Sequence, residues 1–250
     1  MKANRHYQAM TVVTAITTAA AAGVAMPAWG MPLTEDVEAS LVIGALSDYR
    51  TGGISQTLGD PALQFDASLT HSSGFYAGVF TSNVDFGTTT HREYDYYVGY
   101  STRFNEVAGM SLTYFEYDYP KNSEYNYGEW VGTVDAYGVE LGMKYTSEVK
   151  PFDDDHAVYW AKYTLELPQG FSLDARYGYS DAKDDIWVSG SGATRSAYRD
   201  WEVGINREAI GVEWRLSYID TDLSRAECAS VNTYKDVCSA ALVASATKTF

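Results

Sequence analysis

The stretch Ile210-Gly-Val-Glu-Trp-Arg-Leu-Ser-Tyr218 alternates apolar and polar side chains at every second position. Its apolar face carries Val212, Trp214, Leu216 and Tyr218, and its polar face carries Glu213, Arg215 and Ser217. A period of two residues is typical of a β-strand with one apolar face, because successive side chains of a strand point to opposite faces. The same pattern recurs in 93–104, 156–167 and 171–179. We therefore predict an all-β chain.

Twelve strands are predicted by this pattern along the chain. They are 36–50, 61–71, 75–85, 93–104, 109–119, 125–134, 139–148, 156–167, 171–181, 197–206, 210–220 and 238–250. Short connections follow every second strand, at 72–74, 105–108, 135–138, 168–170 and 207–209. The other connections include the longer segments 51–60, 86–92, 182–196 and 221–237. This parity is typical of bacterial barrels, which combine short periplasmic turns with longer outer loops.

The strand number depends on segment 125–148. Read as one strand, it would give eleven strands and reverse every later connection. The short turns that follow favour a split near Tyr137-Gly138. We therefore predict twelve strands, with ten or fourteen as alternatives.

The first 28 residues have the organisation of an export signal. Lys2 and Arg5 form a basic start, and the stretch from Thr11 to Ala25 is apolar and uncharged. Small residues suited to cleavage follow at Gly23-Val-Ala25 and Met26-Pro-Ala28. We predict a signal peptide at 1–28 and one barrel domain at 29–250. Nothing later in the sequence supplies the roughly 20 consecutive apolar residues of a membrane-spanning helix.

Periodicity does not say which face of the sheet meets solvent. A soluble sandwich or barrel places its apolar face inward, whereas an outer-membrane barrel places it outward. The export signal, the 21 tyrosines and the terminal Phe250 favour the second arrangement. We therefore predict a transmembrane antiparallel up-and-down β-barrel in a bacterial outer membrane, with both termini periplasmic. Tyr and Trp would form lipid girdles, and Phe250 would be the insertion signal that the barrel-assembly machinery reads.

On this register the charged side chains of the strands point into the barrel. The predicted pore-lining residues are Glu38, Asp66, Glu93, Asp95, Arg103, Glu140, Lys144, Lys162, Glu166, Asp174, Arg176, Glu202, Glu213 and Arg215. They either line a water-filled channel, where the excess of acid favours cations, or neutralise one another in a filled barrel. Eight strands give a filled interior and sixteen or more an aqueous channel, so twelve leave both possibilities open.

The overall charge restricts the partners. The formal net charge is −15, and removal of Lys2 and Arg5 with the signal would make it −17. Nucleic acid is excluded as a partner, because phosphate binding needs a basic surface. The expected partners are outer-membrane lipid and lipopolysaccharide, together with small solutes or ions.

Cys228 and Cys238 are predicted to form a disulfide, since an exported chain with two cysteines usually pairs them. No metal site and no cofactor are predicted, because no histidine lies near the cysteines. Asp153-Asp-Asp155 and Asp184-Asp185 are interpreted as solvated loop acid. His71, His91 and His156 show no spacing that would place them beside a nucleophile, so we predict no enzyme.

The stretch from Ser47 to Gln64 resembles the signature of the TorF family of proteobacterial outer-membrane porins. The matching residues are Ser47, Asp48, Tyr49, Arg50, Gly53, Ile54, Ser55, Gln56, Gly59, Asp60 and Pro61. Further matches are 71–78, 82–86, 126–129, 220–223 and 248–250, in the family's order. The family often has an aromatic residue and an Arg where this chain has Thr51 and Gly52. The resemblance implies an outer-membrane barrel more strongly than an open pore, and it carries over no catalytic residue.

Within this stretch, Gly52 and Gly53 are predicted to turn the chain at the outer rim with positive φ, and Asp60-Pro61 to restart the next strand. The alternative sends Arg50 and Gln56 inward to line the mouth. The predicted function is passive diffusion of small solutes or ions, with a mild cation preference. The alternative is a closed structural or adhesive barrel whose loops 182–196 and 221–237 bind a partner or lipopolysaccharide.

Overall fold

A computed structural model describes residues 30–149, 154–232 and 234–250. The proposed signal peptide at 1–28 lies outside this range, so that boundary stays a prediction. Twelve long strands form the barrel. They are β1 (Val37–Leu46), β2 (Ala62–His71), β3 (Phe75–Asn83), β4 (Arg92–Asn105), β5 (Ala108–Asp118), β6 (Tyr127–Ala136), β7 (Val139–Val149), β8 (Asp154–Leu167), β9 (Phe171–Asp181), β10 (Ala197–Ala209), β11 (Val212–Thr221) and β12 (Ala241–Thr249).

The barrel is closed. Each strand pairs antiparallel with its sequence neighbour, and β12 pairs with β1, where Ser245 lies opposite Leu46. Closure leaves no long strand with an unpaired edge, which would otherwise invite association with another chain. The prediction of a twelve-stranded antiparallel barrel is confirmed. The split between β6 and β7 is also confirmed, with Tyr137 and Gly138 both at positive φ.

The two ends of the barrel differ as the parity predicts. One end, the turn end, carries the short connections after β2, β4, β6, β8 and β10. Phe250 also lies there, where its backbone exchanges two hydrogen bonds with Leu41, N···O 2.9 and 3.3 Å. The other end, the loop end, carries the connections 47–61, 84–91, 119–126, 182–196 and the segment between β11 and β12.

The outer surface of the barrel is apolar. Leu216 is 49% exposed, Val98 54% and Tyr163 50%, and all three lie on strand faces that point away from the axis. Their sequence neighbours Arg215, Tyr97 and Lys162 point inward and are half-buried. This is the inverted arrangement expected when lipid covers the outside. Among the described residues, no helix is both long enough and apolar enough to cross a membrane.

The loop end is folded rather than open. Residues 47–61, here called the motif loop, form a two-residue hairpin in which Arg50–Thr51 pairs with Ile54–Ser55. A second small hairpin pairs Trp187–Val188 with Thr194–Arg195. The connection from β11 to β12, here called the cystine loop (222–232 and 234–240), contains helix α1 (Arg225–Asn232).

Helix α1 begins with a reciprocal cap. Ser224 Oγ accepts a hydrogen bond from the Glu227 backbone at 3.3 Å, and the Glu227 carboxylate accepts one from the Ser224 backbone at 2.8 Å. This capping box satisfies two amides that the helix itself cannot. The predicted disulfide between Cys228 and Cys238 is present, and it joins the helix to the chain that returns to β12.

Candidate functional site: the barrel lumen

The lumen contains a cavity of about 480 Å³ along the inner faces of β7 to β12. Part of the motif loop, from Asp48 to Gly53, also borders it. At the turn end the lining residues Glu166 and Glu208 are exposed, whereas near the motif loop Trp160 and Asp200 are 5% and 1% exposed. The cavity therefore opens toward the turn end and narrows toward the loop end.

Nine of the fourteen residues predicted to line a pore border this cavity. They are Glu140, Lys144, Lys162, Glu166, Asp174, Arg176, Glu202, Glu213 and Arg215. Glu38 and Arg103 are exposed near the turn end, and Asp66, Glu93 and Asp95 lie in the opposite half of the lumen, away from the cavity. The predicted residues of β7 to β11 thus lie together around the cavity. The predicted residues of β1, β2 and β4 do not border it.

Two arginines of the cavity wall, Arg176 and Arg215, are held by carboxylates of other strands. Arg215 reaches Asp174 through both of its terminal nitrogens, at 2.5 and 2.9 Å, and Glu202 at 2.6 Å. Arg176 binds Asp200 and lies over the ring of Trp160. Each of these pairs is neutral overall, and the bidentate pair of Arg215 with Asp174 stiffens the wall.

The opposite half of the lumen, between β2 and β6, is filled with aromatic side chains. Tyr117 and Tyr127 stack with ring centroids 4.4 Å apart, and both are buried. Tyr119 donates a hydrogen bond to Glu93 at 2.7 Å, and Tyr97 donates to Asp66 at 2.9 and 3.0 Å. Glu93 and Asp66 of this half therefore accept hydrogen bonds from phenols, whereas both carboxylate oxygens of Asp95 are buried without a hydrogen-bond partner among the described residues.

This packing corrects the expectation that Tyr and Trp serve as lipid girdles. Only part of them lie on the outer face, including Tyr96, Trp130, Tyr159 and Trp214, which are exposed there. Many others are buried inside: Tyr49, Tyr117, Tyr119, Tyr127, Trp160, Trp187 and Tyr198. The interior aromatic residues of β4 to β6 were missed because these strands carry aromatic residues on both faces, so that period two does not reveal which of them point inward.

The motif loop has features of both predicted interpretations, the turn at Gly52 and Gly53 and the inward course of Arg50 and Gln56. Gly52 and Gly53 have φ of 54° and 81° and make the turn as expected. The loop is nevertheless buried, with Gln56 3% and Tyr49 3% exposed. Arg50 borders the cavity. Burial, together with the nearby carboxylates of Glu93 and Asp95, raises the pKa of the Tyr49 phenol well above its ordinary value, so Tyr49 is neutral.

Two of the described histidines have a serine hydroxyl beside them. His71 Nδ1 lies 2.7 Å from Ser73 Oγ in the exposed turn after β2. His156 Nε2 lies 2.7 Å from Ser180 Oγ, in a pair that the sequence spacing did not reveal. Both residues are buried and neither borders the cavity, so a solute in the cavity does not reach them. Within the described segments, no group of three or more His, Cys, Asp or Glu side chains is placed to hold a metal ion.

A closed antiparallel barrel with an apolar exterior and a charged lumen defines the class as porin-like β-barrels. Two solved porins share this fold. A KdgM porin in complex with disordered oligogalacturonate is 7% identical, with a TM-score of 0.55 over 84% of this chain and 99% of that chain. The NanC porin is 9% identical, with a TM-score of 0.52 over 83% of this chain and 97% of that chain. Such low identity shows the fold alone.

The chain belongs to the bacterial family of unknown function Gcw_chp, whose model matches residues 32–250. No curated protein matches the chain. The family assignment covers the whole barrel and agrees with the extent of the predicted resemblance. The TorF name itself stays a prediction.

Proposed function

We propose that this protein is an outer-membrane channel of the porin type, which lets small solutes or ions diffuse passively. The observation that carries the proposal is the 480 Å³ charged cavity inside a barrel with an apolar outer face. A lumen filled by packed side chains would not leave such a cavity, lined by ion pairs, on one side. The solved porins of the same fold support a transport role, and the TorF resemblance is consistent with it.

The proposed location is a bacterial outer membrane with the turn end in the periplasm. The short connections and Phe250 share the turn end, as in barrels that insert from the periplasmic side. Contacts of the outer face with lipid and lipopolysaccharide, and recognition of the last strand by the barrel-assembly machinery, belong to the same proposal.

A mild preference for cations is proposed from the turn end of the cavity. Glu166, Glu208 and Glu213 border it there, and among the described residues none of their carboxylates forms a hydrogen bond or a salt bridge. Glu208 and Glu213 are cross-strand partners. Like charges directly opposite one another destabilise a sheet, and a passing cation would relieve their repulsion.

The test is single-channel conductance of the refolded mature barrel in a planar bilayer, with a salt gradient that gives the reversal potential. Discrete steps and a cation-selective potential are expected. The double variant Glu208→Gln/Glu213→Gln should move the potential toward zero. Glu35→Gln removes one charge at the same end but outside the cavity, so it serves as the control. An unchanged potential in the double variant would refute the cation preference while leaving the channel intact.

The packed loop end favours one alternative, a closed barrel whose outer loops bind a partner. The second hairpin and the cystine loop are joined by Arg195 with Glu227, at 2.7 Å, and by the Val188 backbone with Ser230, at 3.0 Å. Such a fixed outer surface suits adhesion as well as transport. A barrel that folds but stays electrically silent would favour this function.

A further inference from the structure

The motif loop lies inside the barrel, where connecting segments are rarely found. Loops usually run over the surface because their backbone groups need water. Here Ile54 and Thr57 are each only 1% exposed. Their burial means that the loop occupies part of the lumen.

The loop holds its own shape through Arg50. The guanidinium binds the Asp48 carboxylate at 2.5 Å, and it donates to the backbone oxygens of Gly53 at 2.9 Å and of Ser239 at 2.7 Å. The first two contacts close the hairpin, and the third ties it to the chain just before β12. Charge-assisted hydrogen bonds of this kind are among the stronger ones, so the hairpin is a rigid body.

The tip of the hairpin is pressed against the barrel wall. Tyr198 of β10 donates a hydrogen bond to the Gly52 oxygen at 3.0 Å. A Cβ atom at Gly53 would overlap the methyl group of Thr221 and lie 3.2 Å from the Asp220 oxygen. No side chain therefore fits between the tip and the wall.

The cystine loop covers the hairpin from outside. The Ser55 backbone donates to the Val237 oxygen at 2.9 Å, and Thr221 Oγ1 donates to the Cys238 oxygen at 2.9 Å. Ile54 packs in one buried cluster with both cysteines. The disulfide thus fixes the segment that holds the motif loop in place.

The base of the motif loop contacts the other side of the lumen. Tyr49 packs against Ala62, Phe80 and Val84, at the loop ends of β2 and β3. The loop therefore bridges the lumen from β3 to β10 and β11. The space that remains lies along β7 to β9, where Lys144 and Trp160 border the cavity.

We propose that the motif loop is the constriction that sets the size limit of the lumen, and that the cystine loop is the clamp that keeps it there. This inference rests on the proposed channel function and names its specificity-determining element. Tyr49 divides the lumen into its filled half and its open half. Gly53 makes the closest contact of the motif loop with the barrel wall, at β11.

The test compares alanine at two glycines of the same loop. Gly53 and Gly59 have nearly equal φ, 81° and 87°, so alanine strains the backbone at both. Only at Gly53 does the new Cβ meet the wall, since nothing lies within 4 Å of a Cβ at Gly59. Gly53→Ala should displace the hairpin from β11, and Gly59→Ala is the matched control. A second variant, Cys228→Ser/Cys238→Ser, removes the disulfide of the clamp without a substitution in the motif loop.

Two measurements are made on each refolded barrel. Hydrogen–deuterium exchange of the Ser55 and Asp85 amides reports release of the hairpin, because these amides donate to the Val237 and Gln56 oxygens and so join the motif loop to its surroundings. Single-channel conductance, with swelling of vesicles in sugars of increasing size, reports the size limit. Release should remove the amide protection and raise conductance roughly twofold or more, because an unobstructed twelve-stranded barrel lies between filled and wide-channel sizes. Gly59→Ala should change neither measurement.

The possible outcomes separate this inference from the channel function. Released amides with unchanged conductance in a conducting barrel would overturn the constriction and leave the channel standing. Amides that stay protected in both variants would overturn the clamp. Released amides in a barrel that never conducts, in the wild type or in either variant, would overturn the channel function itself, and the constriction with it.

Discussion

Arg215 is the side chain whose loss should reveal most about the open half of the lumen. Besides its bonds to Asp174 and Glu202, its guanidinium donates to Asn206 Oδ1 at 2.7 Å. Arg215→Met keeps an unbranched side chain, but it removes the guanidinium and all four of its hydrogen bonds. Asp174 then keeps only the Asn206 amide, at 2.7 Å. The guanidinium also lies where a side chain of residue 204 would be, which Gly204 leaves free.

The magnitude follows from burial. Asp174 is 4% and Glu202 24% exposed in their side chains, with Arg215 at 16%. Removing one partner of a fully buried pair costs about 3–5 kcal/mol. Partial exposure of Glu202 and Arg215 reduces this, so we expect Arg215→Met to lower the free energy of unfolding by about 2–4 kcal/mol.

The assay is urea unfolding in lipid vesicles, followed by fluorescence of the six tryptophans. A double-mutant cycle with Asp174→Asn isolates the pair, and a coupling of about 1–3 kcal/mol is expected for residues in direct contact. Additive losses, or a loss from Arg215→Met no larger than that of an exposed surface substitution, would refute the ion-pair argument. The same variant removes one positive charge and should shift the reversal potential toward cations.

Three further predictions concern the outer loops, the lipid face and the barrel seam. Burial raises the pKa of Glu227, but hydrogen bonds from Ser224 outweigh this effect and lower the pKa. The contribution of Glu227 to the α1 cap should therefore be lost as the pH falls through that lowered pKa, and amide exchange in the helix should become faster. Ser224→Ala should give the same faster exchange at neutral pH. Leu216→Arg should lower the free energy of unfolding in vesicles by about 2–4 kcal/mol if that face meets lipid, whereas Leu216→Met, which is unbranched but uncharged, should cost little. Deleting Phe250 removes its hydrogen bonds to Leu41 and should slow barrel assembly, measured as the heat-modifiable fraction in gels; unchanged assembly would exclude Phe250 as the insertion signal.

The strand number and closure could be predicted because strands such as β8, β9 and β11 have one largely apolar face and one polar face. Leu216 and Arg215 belong to such a strand, and the short turn at Tyr137-Gly138 fixed the count. A shift of one residue in strand pairing would move every side chain of the strand to the opposite face of the sheet. The alternation therefore determines the register wherever the two faces differ in polarity.

The filled half of the lumen could not be predicted in the same way. Tyr96 is exposed to the outside and Tyr97 points inward, yet the two residues have the same chemistry. On β5, Tyr114 and Tyr117 likewise take opposite faces. An aromatic side chain suits lipid and dry packing equally well, so alternation carries no information where both faces are aromatic.

The burial of the motif loop was beyond sequence reasoning for a different reason. The two glycines were correctly assigned to a turn, since positive φ is a local property. The position of that turn depends on Tyr198, Val237 and Ser239, which lie more than a hundred residues further along the chain. Local propensity predicts the shape of a loop, but only distant contacts decide where it rests.

The two halves of the lumen differ in the partner that meets each carboxylate, and this difference assigns them different roles. In the filled half, Glu93 is bonded to the phenol of Tyr119, which brings no charge and packs in a dry aromatic cluster. In the open half, Asp200 is bonded to Arg176, and both residues border the cavity. Glu93 and Asp95 of β4 do not border the cavity, so under the proposed channel function we expect the wall from β7 to β12 to set the ion selectivity.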